Sequence, residues 1–134
     1  MPPDRDSPRP RLETPLSRRL GLRAPILVGP MTAVSEEDLV VAAAEAGIAA
    51  GLPPHNYPSV PAFARALASI RKRTSGPFVV NLIVNRANIL LPRQLDAALE
   101  ASTPIFVTSL GDPREVIRRA RAAGALVLCD VSTV

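Results

Sequence analysis

Residues 76–84 read G-P-F-V-V-N-L-I-V: a Gly-Pro opening, then a continuous apolar run broken by one polar residue, Asn81. A strand with one wet face alternates apolar and polar residues. An unbroken β-branched and aromatic run describes a strand covered on both faces, as in a parallel sheet between helices or in a barrel. Asn81 is costly in such a strand unless its amide is paired, so its partner must come from a neighbouring segment.

Working outward toward the C-terminus, a polar loop over 85–88 leads into a helix expected over 91–101, with Pro92 tolerated in its first turn. A strand follows over 104–109. Asp112 and Pro113 then read as N-cap and first helical residue of a helix ending before Gly124, and a last strand covers 125–130. Working back toward the N-terminus, Phe63, Leu67 and Ile70 mark one face of a helix over 61–73, preceded by a loop over 53–58 and a strand over 48–52. Ser35 reads as the N-cap of a helix that stops at Gly47. A strand over 25–29 exits through Pro30, Met31 and Thr32, and a helical turn over 14–20 stops at Gly21. Residues 1–12 form a Pro, Arg and Asp tail expected to be disordered, and 13–134 a single domain.

The pattern is β-α four times and then β. Short connections and right-handed crossovers leave two architectures, an open doubly wound sheet or part of a (β/α)8 barrel. In either, ligands meet the carboxyl ends of the strands. Here those ends carry Pro30 and Met31, residues 52–57 with His55, then Asn81, Thr108, Ser109 and Asp130, while the opposite ends carry Pro25, Gly47, Pro77, Pro104 and Gly124. Hydrogen-bonding side chains therefore collect on one rim. His55, the one histidine, lies in a Pro-rich loop and reads as an exposed residue without a catalytic role. No G-x-G-x-x-G follows the first strand, and no Walker loop, metal-ligand spacing or Ser/His/Asp order is present.

The composition is globular, with 47% hydrophobic and 21% charged residues. The net charge of +4 is dispersed over the tail and the predicted helix ends, without the aromatic set that stacks nucleic-acid bases, so no nucleic-acid partner is expected. Cys129 is alone, there is no secretory h-region, and no apolar run approaches the ~18 residues of a membrane span. A cytoplasmic chain with no membrane partner is the expectation.

Several segments resemble one family. L-S-R-R-L-G-L-R-A-P-I-L-V-G-P-M (16–31), A-A-E-A-G-I (43–48), R-T-S-G-P-F-V-V-N-L (73–82), T-S-L-G-D-P (108–113) and the final D-V-S-T-V are similar to the N-terminal half of nitronate monooxygenases, formerly called 2-nitropropane dioxygenases. The most specific piece is P-F-V-V-N-L, in register with the Pro-Met exit of the first strand. The resemblance implies a (β/α)8 TIM barrel, of which about five strands and four to five helices are present, that binds FMN and oxidises alkyl nitronates with O₂. It implies cofactor contacts at Asn81, Pro30 and Met31, and at Thr108 and Ser109. The family's catalytic histidine and phosphate-holding glycines belong to later strands. No catalytic residue is assigned here, and His55 is not at the matching position. Residues 53–57 depart from the family's Gly-rich second exit. The expectation is an N-terminal portion that binds FMN weakly or not at all alone and exposes barrel edges through which it could dimerise. The alternatives are an FMN-dependent enoyl-acyl carrier reductase-like barrel and a non-catalytic half-barrel interaction module.

Overall fold

The computed structural model describes residues 11–133. The tail expected over 1–12 lies, as far as residue 10, outside the described residues; Leu12 donates its N–H to the Arg23 carbonyl at 2.8 Å. The elements run α1 (Pro15–Leu20), β1 (Leu27–Val28), α2 (Glu37–Glu45), β2 (Ala49–Leu52), α3 (Val60–Arg73), β3 (Val79–Ile83), α4 (Leu91–Glu100), β4 (Ile105–Ser109), α5 (Arg114–Ala122) and β5 (Leu126–Cys129). A 3₁₀ turn at Pro54–Asn56 gives the expected loop after β2 a shape of its own.

All four strand pairings are parallel, and the order in the sheet is β1-β2-β3-β4-β5. A doubly wound sheet reverses its order at a switch point and carries helices on both faces. Neither happens here. One core joins Val41 of α2, Phe63 and Leu67 of α3, Leu95 of α4 and Val116 of α5 to Leu52, Val80, Leu82 and Phe106 of the strands. The opposite face gathers a smaller cluster of Ala49, Val79 and Ile105, closed by Leu20 and Leu22 at the end of α1. The sheet curls with α2–α5 outside, as a partial (β/α) barrel. β1 and β5 are its edges.

Two expected caps differ from the observed ones. Ser35 is not the N-cap of α2; Glu36 holds that position, and the fully buried Ser35 hydroxyl instead accepts the Met31 N–H at 2.9 Å. Helix α5 starts one residue later than expected, with Pro113 at the cap position, although the Asp112 carboxylate still accepts the Arg114 N–H at 3.1 Å. In both cases the side chain satisfies a loop amide that local sequence leaves ambiguous.

Helix α4 ends against a neighbour's side chain. Arg71 of α3 donates to the Ala101 and Ser102 carbonyls, and its guanidinium lies 4.6 Å from the centre of the Phe78 ring. Phe78 and Phe106 are both fully withdrawn from water. Truncating Phe106 to alanine should remove about 3–5 kcal/mol of stability. An Arg71→Met variant, which loses hydrogen bonds to two carbonyls near the surface, should cost about 1–2 kcal/mol. Urea unfolding followed by circular dichroism checks both values and their order.

Candidate functional site

The carboxyl ends of the strands build a rim whose floor is polar and whose edge is apolar. Along β3 and β4, alternate residues face opposite sides of the sheet. Val80, Leu82 and Phe106 belong to the helix-side core, whereas Val79 and Ile105 belong to the inner cluster. By that alternation Asn81 and Ser109 point to the inner face. Thr108, 2% exposed, is turned toward the helices, and its carbonyl accepts the Asp130 N–H at 2.9 Å.

Asn81 is 6% exposed and bonded across the sheet: its Nδ2 lies 3.3 Å from Ser109 Oγ, which in turn lies 2.6 Å from Asp130 Oδ2. The serine has one proton to give, and a carboxylate at 2.6 Å is a stronger acceptor than the Asn81 Oδ1 at 3.5 Å. The order of donation is therefore Asn81 amide to Ser109, and Ser109 hydroxyl to Asp130. This leaves Asn81 Oδ1 available as an acceptor. Two openings flank the row. A cavity of about 160 Å³ is lined by Asn81, Ile83, His55, Pro54, Asn88 and Gln94. A second, about 390 Å³, lies between Ser109, Leu110 and Gly111 on one side and Asp130 to Thr133 on the other.

The apolar edge comes from the loops. Met31, Val34, Ile89, Leu90, Leu110 and Val131 are exposed large hydrophobic side chains, and all lie in segments leaving the carboxyl ends of strands. Leu110 also has φ 64°, a left-handed conformation that costs a residue with a Cβ about 1–2 kcal/mol and that concentrates at functional loops.

Pro30 is held over β2 by the absence of a side chain. A Cβ added to Gly51 would stand 3.0–3.2 Å from the Pro30 ring and nitrogen, so a side chain here would push the β1 exit away by a few tenths of an ångström. Met31 follows, 40% exposed. The Pro-rich segment after β2 then binds the loop after β1: His55 Nε2 pairs with Thr32 Oγ1 at 2.9 Å, and the Tyr57 hydroxyl donates to Glu37 at 2.8 Å. Burial first, and then the adjacent Glu37 carboxylate, raise the Tyr57 pKa well above its ordinary value of 10.0.

Of the five residues singled out in the sequence, the fold brings Asn81 and Ser109 into one hydrogen-bonded row and places Pro30 and Met31 on the same rim two strands away. Sequence reasoning missed His55, Gln94 and Asp130 as lining residues. The rim positions of His55 and Asp130 were legible beforehand; the contacts that bring His55 and Gln94 to one cavity join segments whose proximity depends on the crossovers. Among the described residues no group of three or more His, Cys, Asp or Glu is placed to hold a metal ion, and no helix is long and apolar enough to cross a membrane.

This architecture is shared with solved structures. FabK from Thermotoga maritima matches with a TM-score of 0.82 at 24% identity, over 91% of this chain and 38% of that one. Nitroalkane oxidase from Streptomyces ansochromogenes matches at 0.73 and 25%, over 88% of this chain and 42% of that one. The enoyl reductase domain of MlnA from the macrolactin cluster of Bacillus amyloliquefaciens matches at 0.67 and 19%, over 75% of this chain and 24% of that one. No protein-family model matches the chain. The class is thus a partial (β/α) barrel, spanning about two fifths or less of the length of these neighbours. The resemblance to the N-terminal half of the nitronate monooxygenase family holds at the level of the fold.

Tyr57 is the one tyrosine, so its ionisation can be followed alone at 295 nm. Because its folded pKa is raised, its contribution to stability is fully present below pH 10.0 and lost as pH climbs through the folded value. The titration midpoint should lie well above 10, and Glu37→Gln should move it back toward 10 by removing the carboxylate charge.

Proposed function

We propose that this chain supplies the ring-binding portion of an FMN site in a nitronate monooxygenase-like oxidoreductase. The observation that supports this best is the Asn81–Ser109–Asp130 row beneath an apolar rim. A flat heteroaromatic edge needs that combination: fixed polar partners for its donors and acceptors, and apolar walls that exclude water from its faces. The set on this rim fits the group. Asn81 Oδ1 would accept from a ring N–H, while Pro30 and Met31 would lie along the ring as the family resemblance implies. Ser109 holds the Asn81 amide in one orientation, because its own proton is committed to Asp130. Thr108 would contribute only indirectly, by accepting the Asp130 N–H and so fixing where the Asp130 side chain stands.

Bound FMN would supply electron transfer from a substrate carbanion, such as an alkyl nitronate, to O₂. The contribution of these residues is orientation and exclusion of water. The family resemblance assigns the phosphate-holding glycines and the catalytic histidine to later strands, so neither role is given to a residue here. An enoyl reductase reading is also supported, by the likeness to the MlnA domain, and differs in drawing electrons from a nicotinamide cofactor. The edges at β1 and β5 are where further strands or a second copy would pair.

Quenching of flavin fluorescence tests the ring-binding reading. Riboflavin and FMN should bind with similar, weak affinity, about 0.1–1 mM or roughly −5.5 to −4 kcal/mol, since they differ only in the phosphate. Asn81→Ala should weaken both by roughly 5- to 30-fold, the cost of about 1–2 kcal/mol for an unpaired buried polar contact. Absence of saturable quenching, or FMN binding far more tightly than riboflavin, would contradict it.

A further inference from the structure

The loop between β1 and α2 carries two of the proposed ring contacts and turns on itself, the Val34 and Ser35 N–H groups both donating to the Met31 carbonyl at 3.3 and 2.9 Å. Met31, Thr32, Ala33 and Val34 are all exposed, and Ala33 adopts φ 59° although it is not glycine. A conformation of that kind persists only where its surroundings over-determine it. Here the Ala33 N–H itself is taken by one side chain, Asn56, from the 3₁₀ turn after β2, beside a Thr32–His55 bond from the same turn.

Asn56 commits both its amide donors and its carbonyl oxygen to this loop. Its Oδ1 accepts the Ala33 N–H at 2.9 Å, and its Nδ2 donates to the Met31 carbonyl at 3.1 Å and to the Ser35 carbonyl at 2.9 Å. An amide has two N–H protons and one carbonyl oxygen, so each is matched to a separate backbone group. From the other side the buried Ser35 hydroxyl accepts the Met31 N–H at 2.9 Å. Met31 is therefore gripped at both its N–H and its carbonyl while its side chain stays exposed. Pro30, immediately before it, is seated against Gly51.

We infer that Asn56 is a positioning residue of the rim: together with Ser35 it holds the backbone of residues 31–35 so that Pro30 and Met31 present a preformed wall to the ligand. The inference rests on the ring-binding reading of that rim. Neither residue contacts the ligand in this role. Asn56 is not replaceable by a carboxylate or an aliphatic side chain of similar size, because it must donate twice and accept once. Preformed walls bind more tightly because less ordering is left to occur on binding.

The test uses the full chain and the variants Asn56→Ala and Ser35→Ala, with Val116→Ala as a control that alters the core beneath α5. Hydrogen exchange should accelerate at least tenfold at the Ala33 amide in Asn56→Ala and at the Met31 amide in Ser35→Ala, with far-UV circular dichroism unchanged. Riboflavin should bind about 5- to 10-fold more weakly to both, and with unchanged affinity to Val116→Ala. Should Asn56→Ala fail to fold, Ser35→Ala carries the same comparison. Unchanged exchange overturns the clamp. Faster exchange with unchanged riboflavin affinity overturns the positioning role. If the unaltered chain shows no saturable riboflavin binding, the ring-binding reading fails and this role fails with it. In that event the exchange rates still report separately whether the clamp exists.

Discussion

Strand β3 is covered on both faces. Val79, Val80, Asn81 and Leu82 are all buried, and the backbone pairs with β2 on one side and with all five residues of β4 on the other. A strand so enclosed has no water to satisfy stray polar groups, so its ladder must be complete and its one polar side chain must find a partner. Both requirements are met by β4. It completes the ladder and, through Ser109, pairs with the Asn81 amide. The rest of the sheet extends from this central pair in chain order, which leaves β1 and β5 at the edges and the helices on one side.

One-sided winding gives the inner face its character. Helices that would cover that face in a doubly wound sheet are absent from it, and only the end of α1 closes the lower part with Leu20 and Leu22. Above this small apolar plug, the inward residues of β3 and β4 change from Val79 and Ile105 to Asn81 and Ser109. The inner face is therefore a polar floor over an apolar base. The likeness to FabK and to a nitroalkane oxidase is strongest as a statement about this arrangement of strands and helices.

The loops at the rim are shaped by contacts between them more than by their own sequence. Gly51 admits Pro30, Asn56 holds residues 31–35, and Asn88 donates to both the Ile83 carbonyl and Gln94 Oε1, tying the loop after β3 to α4. Each contact carries a polar or steric requirement that a neighbouring loop meets. The departure of residues 53–57 from the Gly-rich second exit of the resembled family thus has a structural correlate. The side chains of His55, Asn56 and Tyr57 each bond to the preceding βα unit, which a glycine-rich segment has no atoms to do.

The amino-acid sequence alone determined the succession of strands and helices, the burial of 79–84 and the gathering of polar residues on one rim, because these follow from local periodicity and from punctuation by proline and glycine. Breaker residues such as Gly21 and Gly47 stand where the expected stops were. Periodicity left open the choice between a doubly wound sheet and a barrel, to which the family resemblance pointed; the tertiary structure decided it, since strand order depends on where each crossover lays the next strand. The same holds within the site. Asn81 was recognisable as a polar residue in need of a partner, but Ser109 and Asp130 became that partner through the registers of β4 and β5. Ser35 was read as a helix cap because a serine before acidic residues suits one. In the fold it is buried and bonded to Met31, since the β1 exit turns back over it.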